Sequence, residues 1–214
     1  MTRGCFITLE GIEGSGKTTQ AAVLAGALRS RGNQVMVTRE PGGTRAGELI
    51  RAIFLDSSIS LEVTAELLLV LADRAQHVRA KLRPALETGQ MVISDRYSDS
   101  TIAYQGYGRG LDLKLVRDLN RLASDGITPD LTIVLDCAPE TGLERSKARA
   151  GDAVRTRDRF EREQIEFHRR VCDGFRAIAR DEPSRVALID SSLETGEVSA
   201  AILRLVLDRF FGRQ

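Results

Sequence analysis

The stretch Gly11-Ile12-Glu13-Gly14-Ser15-Gly16-Lys17-Thr18 fits the pattern G-x-x-x-x-G-K-[ST], which is typical of loops that bind phosphate. An apolar run, CFITL at residues 5–9, comes before it, and a segment of helical period, residues 17–30, follows. This order of strand, loop and helix is the context that the motif requires. Glycines let successive backbone N–H groups turn toward one anion, and the N-terminus of the helix adds partial positive charge. The stretch therefore predicts a site for a nucleoside triphosphate rather than a glycine-rich turn that binds nothing.

The residue types in this loop predict separate contacts to the triphosphate. Lys17 is expected to reach the β- and γ-phosphates, and the Thr18 hydroxyl is expected to ligate Mg²⁺. The predicted ATP contacts in and beside the loop are Gly11, Ile12, Glu13, Gly14, Ser15, Gly16, Lys17, Thr18 and Thr19. The loop alone does not identify the molecule that receives the phosphoryl group.

Four further apolar runs have the composition of strands that are covered on both faces. They are VMVT at 35–38, MVISD at 91–95, LTIVLD at 131–136 and VALID at 186–190. Helical periodicity fills the intervals, at residues 17–30, 46–54, 61–87, 113–124, 140–148, 159–180 and 197–211. This alternation predicts an α/β fold, a five-stranded parallel sheet with helices on both faces, in a single domain over residues 1–214.

Composition excludes several classes of protein. The 214 residues are 42% hydrophobic and 29% charged, as in globular proteins, and no apolar run is long enough to span a bilayer. The 31 basic and 30 acidic side chains nearly cancel, so we expect neither nucleic acid nor a membrane as partner. Cys5, Cys137 and Cys172 lack metal-ligand spacing and are expected to be buried free thiols of a cytoplasmic protein. Two histidines, His77 and His168, give little support to a histidine metal site or a catalytic triad.

Four more segments bear on the acceptor of the phosphoryl group. They are TREPGGT at 38–44, LADRAQH at 71–77, DRY at 95–97 with STIAYQG at 100–106, and PDL at 129–131. TREPGGT and DRY lie at the ends of predicted strands, where parallel sheets bind their ligands. Together with the phosphate-binding loop, and in this order, these segments closely resemble the bacterial thymidylate (dTMP) kinases from residue 7 to residue 190.

The resemblance implies a fold and a reaction. The fold would be that of the P-loop nucleoside monophosphate kinases, and the reaction would transfer the γ-phosphoryl group of ATP to dTMP, giving dTDP and ADP for dTTP biosynthesis. Magnesium is implied as cofactor, and a homodimer packed through helices as the assembly. Two alternatives stay open, which are a kinase for another nucleotide or deoxynucleoside and a P-loop protein that binds ATP without an acceptor.

By matching position, the resemblance implies contacts at the phosphate end of dTMP. Arg96, helped by Arg51, would hold the acceptor phosphate. Asp95 and Glu40, the latter followed by Pro41, would organise magnesium, water and the arginines. Asp95 would join Thr18 as a metal residue. The alternatives are that Asp95 and Arg96 form an ordinary ion pair and that Glu40 and Pro41 form only a turn. The resemblance also implies a cis peptide bond before Pro41.

The resemblance also implies contacts to the base and the sugar. Arg74 would donate to thymine O4, with Thr101 and Gln105 at the base edge. Tyr104 would crowd the place of a ribose 2′-hydroxyl, and Glu13 would lie near the 3′-hydroxyl. The alternatives are that Arg74 lies on a solvated helix face and that Tyr104 is an aromatic residue of the core.

The family divides by the position of a catalytic arginine, which lies in the phosphate-binding loop or in a lid over ATP. Here Ser15 stands at the loop position, so the basic segment at about 145–158 resembles the lid. Arg149 would stabilise the transferring phosphoryl group, Arg145 would pack against adenine, and Ser191 would lie on the other face of adenine. A solvated basic loop is the alternative, and the catalytic role is also open to Arg155, Arg157 and Arg159. The catalytic set implied is Lys17, Arg96, Arg149 and Glu13.

One position departs from the family pattern. Val70 stands four residues before Arg74, where the family usually has a phenylalanine. Stacking on an aromatic ring is worth ~1–3 kcal/mol per base, so its loss is not trivial. We expect Phe54 to pack into the space beside Val70 and to cover the base, the alternative being that Phe54 is a plain core residue.

Overall fold

A computed structural model of the chain describes residues 3–150 and 159–212, without the side chains of residues 149 and 150. Within these residues one sheet has the strand order β2-β3-β1-β4-β5, and every neighbouring pair is parallel. The strands are β1 (Phe6–Glu10), β2 (Val35–Arg39), β3 (Met91–Asp95), β4 (Leu131–Asp136) and β5 (Val186–Asp190). The predicted five-stranded parallel sheet is confirmed.

Helices follow the strands in nearly all the predicted intervals. They are α1 (Lys17–Arg29), α2 (Arg45–Leu55), α3 (Val63–His77), α4 (Arg83–Glu87), α5 (Ser98–Thr101), α6 (Leu113–Ala123), α7 (Pro139–Ala150), α8 (Ile165–Asp181) and α9 (Thr195–Phe210). Two π-helical turns, Val78–Leu82 and Ile102–Gly108, continue α3 and α5, and a 3₁₀ turn, Phe160–Arg162, precedes α8. None of the helices in the described part of the chain is both long and apolar enough to cross a bilayer.

The two faces of the sheet carry separate apolar layers. On one face Phe6 packs against Tyr97, with ring centroids 4.9 Å apart and an interplanar angle of 79°. On the other face Ile7 belongs to a layer with Leu24 of α1 and Ile202 of α9. Successive side chains of a strand point to opposite faces, so a strand covered on both faces needs apolar residues throughout. This explains the apolar runs of β1, β3 and β4, and helices on both faces are confirmed. The edge strands β2 and β5 are only partly covered, contrary to the prediction, and expose Val37 and Leu188.

The sequence predicts no helix at residues 98–108, but the structure has α5 and a π-helical turn there. The segment contains Gly106 and Gly108, which are poor helix formers. It packs closely on α8, where a Cβ added at Gly108 would lie 2.7 Å from the Phe167 ring. Packing against α8 therefore stabilises helical turns that local preference does not favour.

Three smaller predictions are corrected. The helix predicted over residues 61–87 consists of α3, a π-helical turn and α4, and the helix predicted over 159–180 begins with a 3₁₀ turn before α8. Cys137 and Cys172 are buried free thiols as expected, but Cys5 is only partly buried. Cys5 lies one residue before β1, outside the fully buried strand.

Candidate active site

One cavity of about 270 Å³ opens at the carboxyl edge of the sheet, beyond the ends of β1, β2 and β3. Its walls include Lys17 of the phosphate-binding loop and side chains of α2, α3 and the 98–108 segment. The predicted substrate residues that line it are Glu40, Pro41, Arg51, Phe54, Val70, Arg74, Asp95, Arg96, Thr101, Tyr104 and Gln105. The structure thus brings side chains from separate stretches of sequence together beside the loop.

The phosphate-binding loop owes its shape to glycine. Gly14 and Gly16 have φ values of 74° and 98°, in the left-handed region that other residues rarely adopt. Gly14 also packs tightly on α7, since a Cβ added there would lie 1.8 Å from the carbonyl oxygen of Gly142. Glu13 and Thr18 line the cavity with these glycines. The other predicted ATP residues of the loop region do not line it: Gly11, Ile12 and Ser15 are buried and Thr19 is exposed.

Lys17 is the first residue of α1, and its buried ammonium group faces the backbone of the loop. Nζ donates to the carbonyl oxygen of Ile12 at 2.6 Å and to that of Gly11 at 3.0 Å. Burial, and then the nearby charge of Arg96, lower the pKa of Lys17 to about 8. The ammonium group is therefore mainly charged at neutral pH and adds its charge to that of the helix N-terminus.

Thr18 and Asp95, the two predicted metal residues, are hydrogen-bonded to each other. Thr18 Oγ1 donates to Asp95 Oδ2 at 2.6 Å, which joins the start of α1 to the end of β3. Both residues line the cavity. They offer a hydroxyl and a carboxylate oxygen side by side next to the phosphate-binding loop.

A buried carboxyl group at the end of β1, that of Glu10, fixes the turn that carries Arg96. Glu10 accepts a hydrogen bond from the Tyr97 backbone N–H at 2.8 Å and another from the Ser100 hydroxyl. Burial, and then the charge of Asp99, raise the pKa of Glu10 to about 8. Arg96 itself has a φ of 73°, which is strained for a residue with a side chain. Strain of this kind persists only where surrounding contacts hold it, and here the contacts of Glu10 do so.

Arg96 connects this turn to the phosphate-binding loop. Its Nη1 donates to the Gly11 carbonyl oxygen at 2.9 Å, and its Nη2 donates to Glu13 Oε1 at 2.8 Å. The hydroxyl of Tyr104 donates to the same Glu13 oxygen at 2.7 Å. Burial acts to raise the pKa of Glu13, but the charges of Arg96 and Lys17 hold it below its ordinary value. Two cationic side chains, Lys17 and Arg96, therefore line one cavity around one loop.

The turn after β2 joins the cavity to α2. The bond between Glu40 and Pro41 is cis, as expected. Arg51 of α2 donates from Nη1 to the Pro41 carbonyl oxygen at 2.9 Å. The guanidinium group of Arg51 is thereby placed at the cavity wall on the side of β2.

Arg74 of α3 is buried, with 2% of its side chain exposed. Nε donates to Glu40 Oε2 at 2.8 Å, and Nη1 donates to Thr101 Oγ1 at 3.0 Å and also to Asn120 Oδ1. His77 Nδ1 lies 2.9 Å from the other oxygen of Glu40. This burial rules out the alternative that Arg74 lies on a solvated helix face.

The sequence analysis missed His77 and Asn120 as partners in this network. Arg74 and His77 are three residues apart on α3, so the helix presents both on one side, and this spacing could have indicated His77. Asn120 lies on α6, 46 positions beyond Arg74. No local pattern connects these two residues, because the packing of α6 against α3 brings them together.

Gln105 is held by Glu66, a buried carboxylate that the sequence analysis did not single out. Gln105 Nε2 donates to Glu66 Oε1 at 2.7 Å. Arg109 and Arg159 lie 3.0 Å and 2.9 Å from Glu66 Oε2. Arg159, one of the alternative lid arginines, is therefore paired with α3 rather than directed at the phosphate-binding loop.

Phe54 lines the cavity together with Val70. Its ring lies 5.1 Å from that of Phe160, and the Phe160 ring meets that of Tyr104 edge-on at 5.4 Å. Phe54 thus faces the cavity beside Val70, as it must if it is to cover the base in place of an aromatic residue at position 70. Phe160, a lone aromatic residue in a basic segment, also lines the cavity and was missed by the sequence analysis.

Arg145 of α7 reaches the loop after β5. Nη1 donates to the Ser191 carbonyl oxygen at 2.6 Å, and Nη2 donates to that of Ser192 at 3.3 Å. The two residues expected on either face of adenine, Arg145 and Ser191, are therefore in contact. The side chain of Arg149, together with Arg155, Arg157 and the rest of 151–158, lies outside the described residues.

Comparison with known proteins identifies relatives over nearly the whole chain. The family model described as "Thymidylate kinase" matches residues 9–202. A thymidylate kinase of Geotalea uraniireducens is 50% identical over 208 residues, covering 96% of this chain and 98% of the relative. One from Deinococcus radiodurans is 48% identical over 209 residues, with 98% and 99% covered. The crystal structure of a thymidylate kinase from Ehrlichia chaffeensis is similar with a TM-score of 0.76 at 36% identity, covering 95% of this chain and 99% of that one. The chain belongs to the thymidylate kinase family.

Proposed function

We infer that the protein transfers the γ-phosphoryl group of ATP to dTMP, giving dTDP and ADP. The observation that carries this conclusion is that Lys17 and Arg96 line one cavity, where Arg96 also donates to the phosphate-binding loop. Two phosphate-bearing molecules can therefore meet end to end between these cations. The kinases of the family that match this chain along its length support dTMP as the acceptor.

The reaction needs positioning and charge neutralisation more than proton transfer. A phosphate monoester has a second pKa of roughly 6, so the phosphate of dTMP is largely a dianion near pH 7 and is already nucleophilic. The main obstacle is the repulsion between two anions, which fixed cations and backbone N–H groups offset. We assign Lys17 to the phosphates of ATP and Arg96, with Arg51, to the phosphate of dTMP.

Magnesium is the cofactor that this site fits. Within residues 3–150 and 159–212 there is no group of three or more His, Cys, Asp or Glu that could hold an ion by itself. Thr18 and Asp95 supply two adjacent oxygen atoms, and Mg²⁺ is usually bound by one or two such groups together with substrate phosphates and water. When bound, the ion supplies positive charge to the phosphates of ATP.

Arg74 is the residue we assign to the base. A guanidinium group only donates hydrogen bonds, so it can pair with thymine O4 but not with the amino group that cytosine has in its place. Burying a donor that faces another donor costs about 1–3 kcal/mol, or roughly tenfold to a hundredfold in binding. Glu40 and Thr101 hold the guanidinium in place, and Gln105 lies at the same cavity wall. We assign Tyr104 and Glu13 to the sugar, at the 2′ and 3′ positions.

We expect the substitution Phe54→Ala to raise the KM for dTMP by roughly tenfold to a hundredfold, because the base loses the apolar cover that Val70 is too small to supply. The KM for ATP should stay within about twofold of the wild-type value. Steady-state kinetics with Leu188→Ala, a change at an exposed side chain of β5, serve as control. An unaltered KM for dTMP in Phe54→Ala would show that Phe54 is only a core residue.

A panel of nucleoside monophosphates, at fixed ATP and Mg²⁺, tests the proposed function. We expect dTMP to have the highest kcat/KM and chelation of Mg²⁺ by EDTA to abolish turnover. Faster turnover of dCMP or GMP than of dTMP would identify a kinase for another nucleotide. Binding of ATP without turnover of any monophosphate would instead favour a P-loop protein that lacks an acceptor.

We further propose one domain with a lid at about 145–158, in which Arg149 contacts the transferring phosphoryl group. We place adenine at the base of this segment, where Arg145 of α7 reaches the loop that contains Ser191. A fall in kcat at an unchanged KM for dTMP in Arg149→Ala is the corresponding test. The cytoplasm is the proposed location, because both substrates are found there and the three cysteines are free thiols.

A homodimer is the proposed assembly. Helix α3 contacts both α2 and α6, and each of the three helices exposes large apolar side chains: Leu49 and Ile53, Leu68, and Leu115 and Leu122. Exposed apolar groups on adjoining helices are typical of a protein interface. Light scattering should give twice the chain mass of 23.5 kDa, and a mass of one chain would refute the dimer.

A further inference from the structure

His168 is a buried histidine that has no part in the reaction as proposed. It lies in the first turn of α8, and none of its side chain is exposed. Neither of its ring nitrogens has a hydrogen-bond partner among the described residues. Buried polar groups in native proteins are nearly always paired, so an imidazole with two unpaired nitrogens requires an explanation.

The imidazole faces a carboxylate oxygen that also has no partner. His168 Nδ1 lies 3.6 Å from Glu13 Oε2, which is too long for a hydrogen bond, and that oxygen is buried without a partner among the described residues. The other oxygen of Glu13 accepts from Arg96 and from Tyr104. A movement of less than about 1 Å would bring Nδ1 and Oε2 into hydrogen-bond range.

Binding of the acceptor phosphate would favour a shift of the Glu13 carboxylate. The proposed function places the phosphate of dTMP on Arg96, whose Nη2 already donates to Glu13 Oε1. A carboxylate and a phosphate dianion on one guanidinium group repel each other strongly at a buried site. Any shift of Glu13 that relieves this repulsion is favoured when its second oxygen gains a donor.

We propose that His168 is a positioning residue, whose Nδ1–H donates to Glu13 Oε2 when the acceptor phosphate binds Arg96 and so draws the carboxylate away from that phosphate. The proposal rests on the proposed function of Arg96. A neutral imidazole with its hydrogen on Nδ1 suffices, and no proton is transferred. His168 touches neither substrate and acts through Glu13 alone.

Two substitutions of similar shape separate the hydrogen bond from packing. His168→Asn places an amide near the position of Nδ1, whereas His168→Leu has nearly the same shape and no donor. We expect His168→Leu to raise the KM for dTMP about tenfold, the usual effect of losing a hydrogen bond to a charged group, with the KM for ATP unchanged. His168→Asn should stay within about threefold of the wild-type value.

The KM for dTMP of His168→Leu and His168→Asn is then measured in the Glu13→Gln background. Glutamine carries no charge to repel the phosphate, so the effect of His168→Leu should fall to less than about twofold. The proposal would be overturned if His168→Leu raised the KM for dTMP equally in both backgrounds. It would also be overturned if His168→Leu and His168→Asn raised that KM equally in the wild-type background. A wild-type protein that does not turn over dTMP would refute the proposed function itself. If the wild type is active and His168→Leu has the same KM for dTMP, only the role of His168 is refuted.

A spectroscopic measurement on the wild-type protein keeps the proposal testable if the variants fold poorly. The chain has only two histidines, so ¹⁵N-labelled imidazole signals are assigned by comparison with His168→Asn. Saturating dTMP should shift the Nδ1 resonance of His168 in the direction of a stronger hydrogen bond. An unchanged resonance at saturation would contradict the proposal.

Discussion

Replacing Lys17 with methionine should lower kcat by about a thousandfold, the largest effect on kcat expected of a single substitution in this protein. The ammonium group lies where the loop and the start of α1 converge, and by the proposed assignment its removal would take a fixed charge from the γ-phosphate during transfer. Loss of one such preorganised group at a phosphoryl or acyl transfer site costs on the order of 10²–10³ or more in rate. Methionine is similar in length to lysine, so the fold should be retained.

ADP release in a coupled assay measures this effect, with Lys114→Met as the matched control. Lys114 lies on α6 with 87% of its side chain exposed, and its pair with Asp118 is a surface contact. The control should retain kcat within about twofold, as is usual for a surface substitution. A Lys17→Met variant that kept kcat within tenfold of the wild type would exclude Lys17 from the phosphates.

Replacing Arg96 with alanine should raise the KM for dTMP and lower kcat, each by about a hundredfold, without changing the KM for ATP. By the proposed assignment, the variant would lose charge-assisted hydrogen bonds that position the acceptor phosphate and offset its charge. It also leaves Glu13 without its main cationic partner, so that carboxylate would then repel the incoming phosphate. The loss of kcat/KM should therefore exceed the loss caused by removing an arginine whose only role is to bind the phosphate.

The control for Arg96→Ala is Arg121→Ala, at a side chain of α6 that is 76% exposed. Adding Glu13→Gln to Arg96→Ala should recover part of the lost kcat/KM, because the unpaired charge is removed. Denaturant unfolding of each variant separates kinetic effects from loss of structure. Arg96 would lie outside the reaction if both kinetic constants for dTMP were unaltered.

The sheet could be predicted from sequence because its three central strands, β1, β3 and β4, are covered on both faces and the two edge strands are also apolar runs. Each strand then appears as an unbroken apolar run, as LTIVLD at 131–136 does, and the phosphate-binding loop marks where the first strand ends. The helical segment at 98–108 could not be predicted in this way. Its residues favour no helix locally, and the packing of α8 against it is visible only in three dimensions.

The candidate site was predictable where the chemistry lies in short motifs and not where it depends on distant partners. TREPGGT and DRY indicated Glu40 and Arg96, and the cavity contains both. Glu66, in contrast, stands in an ordinary helical stretch, and only the fold shows that it holds Gln105 and pairs with two arginines. A buried charge of this kind leaves no local pattern in sequence.

The hydrogen bonds that fix the Arg74 side chain have a consequence for the temperature dependence of base selectivity. A free arginine side chain loses up to about 2 kcal/mol of rotamer entropy when it becomes ordered. Glu40, Thr101 and Asn120 already restrict this side chain in the folded protein, so little further ordering would accompany the proposed recognition of the base. Discrimination between thymine and cytosine should therefore change little on warming until the protein itself begins to unfold.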